Sequence, residues 1–173
     1  MAGGVTGGLR FTTTATPVGE LTIVRSEEGI VATANDPGEL DAIERAYGQL
    51  ARRSARALAT AVRELDAYFA GRRKRFATPV DLSLVASGFS RRVLEATMKI
   101  PYGELRTYGD VADAAGVRRA GRAAGGALSR CPIEIFVPCH RVVPVGRGLG
   151  GYGAYADRKA FLVRLEGGDG RSC

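Results

Sequence analysis

At 173 residues, 45% of them hydrophobic, the chain can bury one core or two small ones, and its composition excludes a disordered polypeptide. It has no apolar run of the roughly eighteen residues needed to span a bilayer, and no basic-then-apolar start typical of a secretory signal, so a soluble cytoplasmic protein is expected. Three cysteines at irregular spacing and a single histidine point to reduced thiols and no required metal.

The net charge of +7 is unevenly spread: residues 1–86 carry 11 Lys+Arg against 10 Asp+Glu, and residues 87–173 carry 14 against 8. A polyanionic partner would therefore meet the second half, although solvated arginines on an ordinary basic surface give the same count.

In chain order, Leu9, Phe11 and Thr13 alternate as in a strand. Leu21 and Ile23 then precede a Ser-Glu-Glu-Gly turn, and Ile30 and Val31 follow it, predicting a hairpin. From about Leu50 to Ala70, Leu58, Val62, Leu65 and Phe69 recur at helical steps, and Gly71 can cap that helix in the left-handed region. The run Arg72 to Arg75 reads as an exposed charged link, and the Pro- and Ser-containing stretch 77–88 as a boundary.

The second half opens with a helix carrying Phe89, Val93 and Thr97 that ends before Pro101. Thr107 and Asp110 form a capping-box pattern, predicting a helix from Tyr108 to Ala115 that stops at Gly116. A second helix is expected from about Val117 to Arg130, with Arg118, Arg119 and Arg122 near its start, which gives a helix-turn-helix layout. Its small residues, Ala120 to Ala127, cost helix stability; they could admit either a neighbouring helix or a nucleic-acid strand.

The apolar run 133–137 should be buried and leads into Pro138-Cys139-His140-Arg141. An ordinary thiol is mostly protonated at neutral pH, so reactivity needs a base or positive neighbours, which His140 and Arg141 could supply. Residues adjacent on an extended segment face opposite ways, so a Cys139–His140 contact would need a turn or a bridging water. A Cys-His pair alone is equally compatible with a buried structural cysteine.

IPYG (100–103), TYG (107–109), RAAGGAL (122–128) and PCHRVV (138–143) occur in this order, and together they resemble the O6-alkylguanine-DNA alkyltransferase family over about residues 89–167. TPVGELTIV and AYFAGR extend a looser likeness toward the N-terminus. The resemblance implies a mixed α/β, ribonuclease H-like supporting domain over residues 1–85, packed on a helix-turn-helix, winged-helix-like catalytic domain over 86–173. It implies double-stranded DNA containing O6-alkylguanine as partner, with O4-alkylthymine a further candidate, no cofactor, and a monomer. The damaged base is rotated out of the duplex and its alkyl group moves irreversibly to Cys139.

By position, His140 is then a general base acting through water and Glu166 orients it. Tyr108 donates to the leaving guanine, and Arg122 fills the vacated stack. Arg118, Arg119, Ala123, Gly125 and Ala127 share the DNA surface. Val142 (through its carbonyl), Tyr152, Gly153 and Lys159 line the base pocket. Glu166 otherwise ends a helix where its charge opposes the dipole, which favours a specific role.

One position departs from the family: Cys131 stands where an asparagine is usual, and the only asparagine is Asn35. A thiol is the poorer hydrogen-bond partner, which predicts a looser turn and slower transfer than an amide would give. It also sets a second sulfur where oxidation could link it to Cys139. Cys139 and the absence of tryptophan argue against an alkyltransferase-like protein that binds lesions without repairing them. A helix-turn-helix regulator leaves PCHRV and Glu166 without purpose, and a cysteine hydrolase leaves the arginine-bearing helix unexplained.

Overall fold

The computed structural model describes residues 8–146, 148–151 and 155–168. The chain divides into two compact units between Leu84 and Val85. In the first, β1 (Arg10–Thr16), β2 (Gly19–Arg25) and β3 (Ile30–Ala34) form an antiparallel meander. The predicted Ser26–Gly29 turn closes the β2–β3 hairpin, with Ser26 N–H donating to the Gly29 carbonyl at 2.9 Å. A short β4 (Arg52–Arg53) adds in parallel to β1, giving the order β3-β2-β1-β4.

Two helices accompany this sheet. α1 (Pro37–Tyr47), absent from the sequence-based expectation, starts at Asp36, whose side chain accepts from Glu39 N–H at 2.9 Å; Pro37 opens its first turn and Gly48 at φ 72° ends it. Its Ile43 joins a core of Leu9, Val24, Val31, Ala32 and Ala34. α2 (Ala55–Phe69) packs on β1 and is shorter than expected. Its buried stripe is Leu58, Ala61, Leu65 and Tyr68, whereas Val62 and Phe69 are only half-buried, because the face toward the sheet is rotated from the predicted one. Gly71, at φ 70°, caps α2 as predicted: its N–H donates to the Tyr68 carbonyl, and that of Arg72 to the Ala67 carbonyl. Arg73 of the basic run pairs with the buried Glu64 at 3.1 Å, while Arg72, Lys74 and Arg75 stay exposed.

The second unit begins with α3 (Phe89–Met98), which buries Val93, Leu94 and Thr97. The strand β5 (Arg106–Thr107) runs straight into α4 (Tyr108–Ala114), where Thr107 and Asp110 complete the capping box. Gly116, at φ 82°, ends this helix by the same double bond to Asp113 and Ala112 carbonyls. α5 (Gly121–Ser129) starts later than expected. Arg118 and Arg119 belong to the turn before it, and Arg119 takes φ 58°, outside the helical region. α3 packs on both α4 and α5, so the three helices enclose a helix-turn-helix.

After α5, residues 133–137 are buried except for half-exposed Glu134, but they are not extended. They fold into a tight turn: Phe136 N–H donates to the Glu134 carbonyl at 2.8 Å, and Ile135 adopts φ 71°. A single 3-10 turn over Cys139–Arg141 follows, then β6 (Val142–Val143), parallel to β5, and finally α6 (Ala156–Leu165).

Candidate active site

The 3-10 turn settles how Cys139 and its neighbours are presented. Because the backbone coils at 139–141, consecutive side chains do not alternate between two faces, and His140 and Arg141 both converge on Glu166 at the end of α6. His140 Nε2 lies 2.8 Å from Glu166 Oε1. Arg141 Nε donates to Oε2 at 2.8 Å and its Nη2 to Oε1 at 2.9 Å. Gly103 N–H adds a further bond to Oε2 at 3.0 Å, so the carboxylate opposing the helix dipole is amply compensated.

Arg141 was the missed member of this cluster. Expected as a positive neighbour of the thiol, it is instead consumed by Glu166 and by the Ile100 carbonyl, to which Nη1 donates at 2.6 Å. The IPYG turn is thereby explained. Ile100 supplies that carbonyl, Tyr102 Oη donates to the Leu165 carbonyl at 3.1 Å, and Gly103 sits at φ 79° where a Cβ would lie 2.8 Å from the Glu166 carbonyl oxygen. A signal was available in the sequence, since a Pro-Tyr-Gly turn with an obligatory glycine marks close backbone approach.

Burial lowers the His140 pKa, with Arg141 and Lys159 adding to the effect and Glu166 opposing it, so the imidazole rests neutral. The expected activation of Cys139 by adjacent positive charge is not found. The neighbouring Cys131 thiol, together with burial and the Glu134 carboxylate, pushes the Cys139 pKa well up, against a smaller opposing pull from Lys159. Cys139 thus rests as a buried thiol, 8% exposed.

Lys159 is almost fully buried, and burial lowers its pKa to about 8 while Cys139 pulls the other way. Its Nζ donates to the Val142 carbonyl at 2.7 Å and lies 6.0 Å from the Tyr108 ring centre. Tyr108, half-buried, has its pKa raised by burial and by Cys139. The pairing of β5 with β6 explains why these groups meet: it sets the start of α4 beside the residues just after Cys139. Thus Cys139, His140, Glu166, Tyr108, Val142 and Lys159 are assembled in one unit, whereas Tyr152 and Gly153 lie outside the described residues.

The small face of α5 has a packing role on one side. A Cβ on Gly121 would meet Gly109 N at 3.3 Å, and one on Gly125 would touch the Tyr108 ring at 3.7 Å. Ala127, expected at the DNA surface, is buried with Ala124 and Leu128, because it falls on the side of α5 turned into the unit. Arg118, Arg119, Arg122 and Ala123 are exposed, and Gly125 is partly so.

Comparison with known proteins covers both units. The profile described as 6-O-methylguanine DNA methyltransferase, DNA binding domain, matches residues 88–168, and the ribonuclease-like domain of the same name matches residues 9–82. The constitutive methylated-DNA–protein-cysteine methyltransferase of Bacillus subtilis is 39% identical over 157 residues, covering 90% of this chain and 94% of that one. The Mycobacterium leprae protein of that name is 49% identical over 110 residues, which are 64% of this chain and 66% of its own length. Among solved structures, Mycobacterium tuberculosis OGT in complex with DNA superposes with a TM-score of 0.77 at 35% identity, over 92% of both chains. The enzyme of Pyrococcus kodakaraensis, at 27% identity, gives 0.63 over 92% of this chain and 99% of that one.

Proposed function

The chain belongs to the 6-O-methylguanine DNA methyltransferase family, and from that premise we propose that it repairs DNA by transferring the alkyl group of O6-alkylguanine irreversibly to Cys139. The observation that carries this reading is the buried Cys139 thiol beside the His140–Glu166–Arg141 cluster, on the unit that holds the helix-turn-helix.

The geometry suits a transfer that begins only when substrate arrives. With Nε2 engaged by Glu166, neutral His140 can take the thiol proton only at Nδ1, through a water. Glu166 and Arg141 hold the ring and compensate the imidazolium that forms, acting as positioning groups. The Cys139 sulfur then attacks the alkyl carbon: a C–S bond forms, the C–O bond breaks, and guanine leaves after protonation, a role we give to Tyr108. Lys159, whose charge pulls the Cys139 pKa down, favours the developing thiolate electrostatically.

A thioether has no easy leaving group, so each molecule reacts once. Arg122, exposed at the start of α5, is our candidate for the space left by the extruded base, with Arg118, Arg119, Ala123 and Gly125 against the backbone. Val142 and Lys159, with Tyr152 and Gly153, are assigned to the base pocket. On this reading the protein acts as a monomer, in the cytoplasm with its DNA.

Intact-mass analysis after mixing with an O6-methylguanine duplex tests the proposal. One methyl increment should appear, map to the Cys139 peptide, and be missing in Cys139→Ala. A repaired duplex beside unmodified protein would sink it.

A further inference from the structure

The segment joining Cys131 to Cys139 doubles back on itself. Glu134 and Val137 form an isolated bridge, Val137 N–H donates to the Ile133 carbonyl at 3.3 Å, and Cys139 N–H donates to the Val137 carbonyl at 2.8 Å. The reversal brings its ends together, so that Cys131 is the neighbour acting most strongly on the Cys139 thiol, and Cys131 S–H reaches the Ile133 carbonyl at 3.5 Å. Both are free thiols; Cys131 is half-buried and Cys139 buried. The transfer mechanism makes no use of Cys131.

We propose that Cys131 and Cys139 form a reversible disulfide when the protein meets a hydroperoxide, withholding the acceptor sulfur from alkyl groups. A loop that already returns its two ends to one place leaves little backbone movement to be made before such a bond can close. The more accessible Cys131 reacts first: its thiolate attacks the peroxide, an S–O bond forms as the O–O bond breaks, and the sulfur is oxidised to sulfenic acid while the peroxide is reduced to water or an alcohol. The Cys139 sulfur then attacks that sulfenic sulfur. The S–S bond forms, the S–O bond breaks, and the departing hydroxide leaves as water with the Cys139 proton. A thiol reductant reverses the link by exchange. Oxidation of Cys139 alone to sulfinic acid would be permanent, so the neighbour converts an irreversible loss into a recoverable one.

Disulfide formation requires only the two thiols, but its consequence for repair rests on the reading of Cys139 as acceptor. The test uses the full chain carrying Cys173→Ala, treated with hydrogen peroxide and digested without reductant. The expected result is a cross-linked Cys131–Cys139 peptide lighter by two hydrogens, methyl transfer lost in proportion to the cross-linked fraction, and full recovery with dithiothreitol. Cys131→Ser and Cys131→Asn should show no cross-link and no loss that dithiothreitol restores in that proportion. Undiminished transfer after peroxide, or inactivation with Cys139 as sulfinate and no cross-link, overturns the proposal. Reduced protein that never accepts a methyl group would instead overturn the assignment of Cys139, with the cross-link still read independently by mass.

Discussion

Glu166 is hydrogen-bonded to Gly103 N–H, His140 and Arg141 in a buried setting, and removing one partner of such a cluster leaves the others uncompensated. Glu166→Gln should cost about 3 kcal/mol of stability by urea titration. It should also slow single-turnover transfer, because the neutral amide no longer supports an imidazolium. Lys159→Met removes a cation that eases Cys139 ionisation, so the rising limb of rate against pH should move to higher pH. A coincident profile would show that Lys159 only ties Val142 in place. Cys131→Asn takes away the thiol that holds Cys139 protonated and should raise the rate near neutral pH. The acceptor, its histidine and its glutamate were readable in the sequence because they lie in a short motif and at a helix end. Arg141 was not, since its partners lie 41 and 25 residues away: the Pro-Tyr-Gly turn signals a close backbone approach there but does not say which side chain fills it.

At the level of elements, capping chemistry was the most legible layer. Thr107 with Asp110, Gly71 and Gly116 all act where their side chains or their lack of one demanded. The failures came where tertiary context overrode local pattern. The stripe of α2 rotated to follow its sheet, the apolar run before Pro138 became a turn, and α5 began after an unanticipated left-handed Arg119. α1 was missed although Asp36, Pro37 and Glu39 formed a start signal, because its single buried residue, Ile43, gives little periodicity.

The glycines of α5 separate by surroundings. A Cβ on Gly126 meets only the Arg130 guanidinium, at 3.5 Å, so Gly126→Ala should stabilise the protein by about 0.5–1 kcal/mol in urea denaturation. Gly121→Ala should gain nothing, because Gly109 N stands at 3.3 Å. Equal gains at both positions would contradict the packing assigned to this helix.

For the whole molecule, pH and salt separate the two kinds of electrostatics. His140 has its folded pKa lowered by burial, so the stability it contributes is complete above its ordinary value of about 6.5 and is lost as pH falls toward the lower folded value. Glu64 and Asp81 also have lowered pKa values: burial works against this, but hydrogen bonds from Thr78 and from Ser26 and Ser83, respectively, prevail. Their contribution is lost only in more acid solution. Thermal melts should therefore weaken first as pH falls below about 6.5, and His140→Gln should flatten that first decline. Part of the positive charge in residues 87–173 sits on the exposed Arg118, Arg119, Arg122 and Arg130 in and around α5, and each phosphate contact releases counterions. Arg118→Ala should thus reduce the slope of log affinity against log salt by about 1, the loss of a single phosphate contact.

Ile135 gives the acceptor loop an unusual history within each folding event. A β-branched residue at φ 71° is unfavourable by roughly 1–3 kcal/mol, and full burial of its side chain returns about 1.5–3 kcal/mol. The hydrogen bonds across the turn, from Phe136 N–H to the Glu134 carbonyl and from Val137 N–H to the Ile133 carbonyl, are its local support, and the surrounding finished scaffold supplies the burial that holds it in shape. Gentle warming should disarm the sulfur before helices melt, making repair competence a more sensitive thermometer than circular dichroism.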